Sequence, residues 1–223
     1  FAECLKGIKE ACVYLNYPVV SGNVSFYNGT NNKNIYPTPV IGGVGLIKKL
    51  NVPLNHKFKN ENNILLLIGK TFGHLEQSCF LKENYFIAEG MPPTINLLNE
   101  KNNGETLLKL IDKNFILSAH DISNGGLITA LSEMSISSNY GAKIQKPKKL
   151  TNLFKYFFGE DQARYIIEIN TINLSKVEKI LKDNEIYYEN IGFTQKDYLE
   201  IEGELKISTK DLFKINNEWY NNY

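Results

Sequence analysis

The run Ser118-Ala119-His120-Asp121-Ile122-Ser123-Asn124-Gly125-Gly126-Leu127 decides how this chain is built. Residues 115–119 are apolar enough for a strand, a glycine pair follows, and Leu127, Ala130, Leu131 and Met134 then share one helical face. Strand, tight turn and helix is the unit of an α/β architecture. Such a turn is also a candidate site, because ligands favour the carboxyl ends of strands and a helix N-terminus offers free N–H groups to anions. Asp121 has the chemistry to hold a metal, and His120 to donate to a phosphate or substrate oxygen. Equally, Ser123 or Asn124 caps the helix, Asp121 favours its dipole, and His120 is hydrogen-bonded within the structure.

The alternation extends outward in both directions. Residues 64–68 read as a buried strand, followed by helices from about residue 73 to 84 and from about 94 to 113. Downstream come a short aromatic segment at 153–158, a strand at 165–169, a helix at 174–182 and a strand at 187–193. A β-ribbon around 198–207 and a helix from Lys210 close the chain. The expected fold class is α/β, in the α+β sense of a mixed sheet with packed helices. Upstream, residues 1–15 place Leu5, Ile8, Cys12 and Leu15 at helical spacing. Residues 18–26 and 38–47 read as strands joined by the turn chemistry of Asn28-Gly29-Thr30-Asn31-Asn32-Lys33-Asn34. Residues 51–63 are polar, carry Pro53 and mark a boundary. The expected organisation is therefore a domain at 1–52, a linker at 53–61 and a second domain at 62–223.

Composition narrows the function. The chain has 223 residues, 43% hydrophobic, with 25 Lys and Arg against 24 Asp and Glu. This is ample for a core, and a net charge of +1 makes no case for a nucleic-acid surface or an anionic membrane. The longest nearly uncharged run, 62–69, is far short of the roughly 20 residues that span a bilayer, and no basic-then-apolar N-terminal signal is present. A cytoplasmic location is expected. Cys4, Cys12 and Cys79 lack metal-type spacing and read as small hydrophobes. Arg164 is the one arginine in a chain with 28 asparagines, which singles it out for attention.

Three further segments have chemical potential. In Pro18-Val19-Val20-Ser21-Gly22-Asn23-Val24-Ser25-Phe26-Tyr27-Asn28, Gly22 removes the side chain where a backbone would approach a ligand. Asn23 offers an amide oxygen suited to Mg2+, and Ser25 points to the same face if the strand continues. The alternative there is a glycine bulge followed by a solvent-facing strand edge. Gly69-Lys70-Thr71-Phe72-Gly73-His74 is no phosphate loop, since the first glycine of that pattern is missing; it reads as a strand-to-helix turn. In Gly159-Glu160-Asp161-Gln162-Ala163-Arg164, two acids before the arginine read as a surface ion-pair turn, a structural more than a functional feature. Pro92-Pro93 suits a helix entry and Trp219 a packed terminal helix. No nucleophile elbow, HExxH, paired-cysteine zinc site or post-strand GxGxxG occurs, so motif chemistry alone stops at nucleotide or phosphate binding.

The 18–28 run, Tyr36-Pro37-Thr38-Pro39-Val40-Ile41-Gly42, Gly73-His74-Leu75, Pro92-Pro93, the 119–127 turn and Phe158-Gly159-Glu160-Asp161-Gln162 resemble, in the same order, segments of phosphoribosylformylglycinamidine synthase. The SGNVSxYN run is specific to that family. The HDxSxGG turn is shared with aminoimidazole ribotide synthases and related small-molecule kinases, and a free-standing relative of that kind is a further alternative. The resemblance implies an aminoimidazole ribotide synthase-like C-terminal lobe, preceded by the end of an N-terminal lobe.

It also implies an ATP-dependent carbon–nitrogen ligase of purine biosynthesis, converting formylglycinamide ribonucleotide to the amidine. The ammonia would come from glutamine through a glutaminase domain or subunit, with a small accessory subunit where the parts are not fused. The implied cofactors are ATP and Mg2+; Gly22 resembles an ATP contact, Asn23 a Mg2+ ligand and Ser25 a substrate contact. The family's catalytic histidine lies in a first half that this chain does not match, so His120 and Asp121 remain secondary candidates. Asn124 stands where the family often has Asp, and Glu76 where Gly is common. The other reading is a non-catalytic nucleotide-binding or scaffolding lobe of the same assembly.

Overall fold

A computed structural model describes residues 1–24, 29–36, 38–47, 54–149 and 152–221, which divide into two compact units, Phe1–Val52 and Pro53–Tyr223.

In the first unit, α1 (Ala2–Tyr14) forms where the amphipathic spacing predicts it, and none of its residues is buried. β1 (Gly29–Thr30) and β2 (Lys33–Asn34) make a two-residue hairpin, with Asn31 and Asn32 at φ 51° and 61°. Asparagine tolerates that left-handed turn, which matches strand twist. The expected strands are not realised: residues 18–24 and 38–47 have no regular structure, and Val20, Val40 and Val44 are at least 90% exposed. The two stretches lie near one tie, the Tyr17 hydroxyl, which accepts from the Val44 N–H at 2.9 Å. Apolar, β-branched residues are suited to strands, yet a strand persists only when its N–H and C=O groups find a ladder partner. Ser25 lies outside the described residues.

The second unit is a seven-stranded mixed sheet. It comprises β3 (Ile64–Ile68), α2 (Cys79–Tyr85), α3 (Leu97–Asp112), β4 (Ser118–Asp121), α4 (Gly126–Ile136) and β5 (Tyr140–Ile144). Then follow α5 (Leu153–Phe158), β6 (Tyr165–Ile169), α6 (Leu174–Asp183), β7 (Tyr188–Lys196), β8 (Tyr198–Ile201), β9 (Leu205–Ser208) and α7 (Thr209–Asn221). Strand order is β4-β6-β3-β7-β5-β8-β9, antiparallel throughout except for the parallel β5–β8 pair. The interior strand β3 alternates between the two faces. Leu65 and Leu67 enter one core with Leu127, Leu131 and Met134 of α4, and Leu66 and Ile68 enter the other with Leu110 of α3 and Val177 and Leu181 of α6. A strand covered on both faces reads as the continuous apolar run seen here.

The segment expected as a linker is part of this second unit. Phe58 is 3% exposed in the core, and the Lys59 N–H donates to both oxygens of Glu168, at 3.1 and 3.0 Å. Glu168 is fully buried on β6 and also accepts from Asn63 and Ser118, each at 2.7 Å. A buried carboxylate is tolerated because every lone pair direction is met by a donor. Among the described residues, no helix is long and apolar enough to cross a membrane.

Candidate functional site

Strand directions bring the sequence motifs together. Ile68 at the end of β3 pairs with Tyr165 at the start of β6 and Tyr188 at the start of β7, and Asp121 at the end of β4 also pairs with Tyr165. The turns after β3 and β4 and the turn before β6 therefore share one end of the sheet.

The 159–164 turn organises that end. The Asp161 carboxylate, 5% exposed, accepts from the N–H groups of Phe72, Gly73 and His74 at 3.0, 2.8 and 3.2 Å. Glu160 Oε1 accepts from the Cys79 N–H at 2.8 Å and the Gly125 N–H at 2.7 Å, joining the starts of α2 and α4. Burial pushes the Cys79 thiol up, and Glu160 adds to this. Arg164 is 1% exposed and spends its guanidinium on the turn itself, donating to Gly159 O, Asp161 O at 3.1 Å and Thr71 Oγ1 at 3.2 Å. Burial pulls its pKa down, and Asp161 opposes that pull. The expectation of a surface ion pair is corrected: Asp161 and Arg164 are buried and Glu160 half-buried, and their partners are mainly backbone, where each charge-assisted bond is worth more than in water.

At the start of α4 the Gly125 N–H is taken by Glu160 and the Gly126 N–H by Ser123 O. The N-cap is Gly125 at φ 78°, without a side-chain cap, so neither Ser123 nor Asn124 plays that part. Gly126 follows at φ 74°, and a Cβ there would sit 2.7 Å from Phe157 O and 2.8 Å from Gly159 O. The glycine pair thus lets α4 start directly against the 157–159 backbone.

Two adjoining cavities open on this scaffold. One of 470 Å³ is lined by Gly73, His74, Asn96, Asn99 and Asp161, and one of 320 Å³ by Glu100, Asp121, Ser123, Asn124 and Glu160. They share Pro93, Gln162 and Ala163. Ala163 is held at φ 58°, an uncommon conformation for a residue with a Cβ, and its carbonyl accepts from Asn103 Nδ2 at 2.8 Å. The groove wall is strapped by His74, whose Nε2 lies 2.8 Å from Met91 O, by Glu76, which accepts from the Met91 N–H at 2.7 Å, and by Gln77, which donates to Ala88 O and Gly90 O. The helix expected from residue 73 therefore starts only at Cys79, because 73–77 is occupied in holding 88–91.

The neighbours His120 and Asp121 stay in contact, with His120 Nδ1 3.2 Å from Asp121 Oδ1. Asp121 lines the 320 Å³ cavity, while His120 lies 2.9 Å from Glu133 of α4, with its ring 5.2 Å from that of His56. Among the described residues no group of three His, Cys, Asp or Glu is placed to hold a metal. Gly22 and Asn23 are exposed in the first unit, and a Cβ on Gly22 would meet nothing within 4 Å. Sequence reasoning missed Asp161, Glu160, Gln162 and Ala163 as the frame of the groove. Their signal was present in the lone arginine and the two acids beside it, whose role depends on burial.

The profile of the family described as AIR synthase related protein, C-terminal domain, matches residues 60–202. The phosphoribosylformylglycinamidine synthase subunit PurL of Pelagibacter ubique (strain HTCC1062) is 52% identical over 223 residues, which is 100% of this chain and 30% of that protein. The chain thus spans about 30% of the length of the curated relatives it matches. Among solved structures, T. maritima PurL complexed with FGAR has a TM-score of 0.59 at 15% identity, covering 72% of this chain and 29% of that one. T. maritima PurL complexed with ATP has a TM-score of 0.57 at 13% identity, over 72% of this chain and 27% of that one. At these identities the structures establish a shared fold.

Proposed function

The chain belongs to the AIR synthase related protein family by its C-terminal domain, and from that membership we propose that it works as part of a phosphoribosylformylglycinamidine synthase. The observation that carries this reading is the 52% identity to a PurL subunit over every residue of the chain. The reaction is ATP-dependent. The amide oxygen of formylglycinamide ribonucleotide attacks the γ-phosphorus and ADP leaves; ammonia then adds at the activated carbon and phosphate departs, giving the amidine. Glutamine is the ammonia source, through a glutaminase partner, and the setting is cytoplasmic.

In this assembly the first unit presents Gly22 to ATP and Ser25 to the substrate. Asn23 would fit a Mg2+ ion in donor chemistry, since an amide oxygen is a hard ligand and the side chain is exposed. Bound there, Mg2+ would neutralise charge on the phosphates. The groove of the second unit binds and orients; two of its carboxylates, Glu160 and Asp161, are already committed to backbone N–H groups. Asp121 stays a secondary candidate for holding a metal, and His120 a secondary candidate for donating to a phosphate or substrate oxygen. The commitment of these carboxylates favours a supporting role for the second unit within a composite site.

Turnover distinguishes the possibilities. The full-length protein should convert formylglycinamide ribonucleotide with ATP and ammonia, whereas residues 1–223 alone should not. Turnover by the 223-residue chain on its own would refute the composite-site reading.

A further inference from the structure

A third cavity at the same end of the sheet, 250 Å³ in volume, is separate in its lining from the groove. It lies between the exit of β5, α5 and the start of β7, and its lining includes Lys146, Lys148, Lys149, Tyr156, Tyr187 and Glu189. The lysines come from a stretch of seven, 143–149, that holds four lysines and no acid, in a chain whose overall balance is near neutral. Lys143 and Lys146 have carboxylate partners, Glu200 at 3.4 Å and Glu204 at 2.5 Å. Among the described residues, Lys148 and Lys149 have none within ion-pair distance, nor has Lys70 from the neighbouring turn. Yet Lys149 Nζ and Lys70 Nζ gather over one ring, 6.0 and 5.6 Å from the centre of Tyr187. Ammonium groups beside one ring and without carboxylate partners make this rim electropositive and suit it to an anion.

The floor is polar and fixed. Tyr156, 2% exposed, donates its hydroxyl to one oxygen of Glu189 at 3.0 Å, and Tyr187 donates to the other at 2.5 Å. The Glu189 hydrogen bond first, and burial second, push the Tyr187 phenol up to about 12, so it remains a neutral donor at physiological pH. A carboxylate has about four acceptor directions, so two on Glu189 remain for donors on a ligand. A rim that wants an anion and a floor that wants hydroxyl groups describe a phosphorylated sugar. The volume is below the range of about 300 Å³ and upward typical of drug-sized ligands, which favours a pentose phosphate over a whole nucleotide.

We propose that this pocket is a binding site for a small sugar phosphate, with the phosphate on Lys148 and Lys149, the sugar face on Tyr187 and its hydroxyl groups on Glu189. The proposal does not depend on the synthase reading. Calorimetric titration of the full-length protein with ribose 5-phosphate, with inorganic phosphate as the comparison, tests it. Ribose 5-phosphate should bind saturably and about tenfold tighter than inorganic phosphate, as expected of hydroxyl groups bonded to a charged acceptor. The double variant Lys148→Gln/Lys149→Gln, at two exposed positions, should weaken it about tenfold or more while leaving the melting temperature unchanged. Glu189→Gln should erase the preference over inorganic phosphate. Absence of saturable binding, equal affinity for the two probes, or unchanged affinity in the lysine variant would each overturn the proposal. The last of these would place the ligand in the groove instead.

Discussion

At the scale of single residues, Asp161 is the keystone of the groove. One carboxylate satisfies three consecutive backbone N–H groups, so Asp161→Ala leaves them without that acceptor and removes the carboxylate that most opposes the lowering of the Arg164 pKa. Equilibrium denaturation should show a loss of about 2–4 kcal/mol, with Asp161→Asn costing less because one oxygen survives. A second residue-scale effect concerns His56, whose Nε2 lies 2.7 Å from Ser137 Oγ. Burial, and then the charge of His120, hold its pKa below the ordinary 6.5, with Glu133 pulling the other way. The unfolded chain thus takes up the proton more readily than the folded one. The His56 contribution is complete above the unfolded pKa and is lost as pH falls through the folded value. Thermal melts of the full-length protein should weaken from about pH 7 to pH 5, and His56→Gln should flatten that dependence. The chemical types of Asp161 and Arg164 were plain in the sequence; their burial was not, because it is created by the β3 and β6 turns meeting.

Among elements, β3, β6, α1 and α6 formed where periodicity placed them, since each carries an uninterrupted signal of one period. β5 carried none, with only five residues and a glycine and a lysine among them. Its place is set by packing. Gly141 sits where the Tyr198 backbone of β8 comes closest, and an added Cβ would collide with that backbone. Gly141→Ala should destabilise the protein by about 1–3 kcal/mol and speed hydrogen exchange most in β8 and β9, the strands outside β5. The opposite failure occurred at 18–24 and 38–47, where strong strand composition produced no described strand. Composition records what a segment suits, while a ladder also needs a neighbour.

For the whole molecule, the two units differ in kind. Residues 53–223 bury both faces of their sheet, whereas α1 buries nothing and the described apolar residues of 13–24 and 38–47 are exposed. Residues 53–223 expressed alone should therefore unfold cooperatively, as seen by circular dichroism, and residues 1–52 alone should show no such transition. The mixed fold was legible from the alternation of elements, and the family from its motif turns, three of which converge on one sheet end. The groove itself was not legible, since its walls come from segments about 90 residues apart in sequence, such as Phe72 and Asp161.

The central claim is that the Gly22–Ser25 segment meets ATP and substrate in a composite synthase site. Steady-state turnover of formylglycinamide ribonucleotide with ATP and ammonia, by the full-length protein carrying Asn23→Ala, tests it most directly. The prediction is a fall of kcat by about a hundredfold, the scale of losing one group that stabilises transferring phosphate, with an unchanged melting temperature. Kinetics identical to the unaltered protein would contradict it.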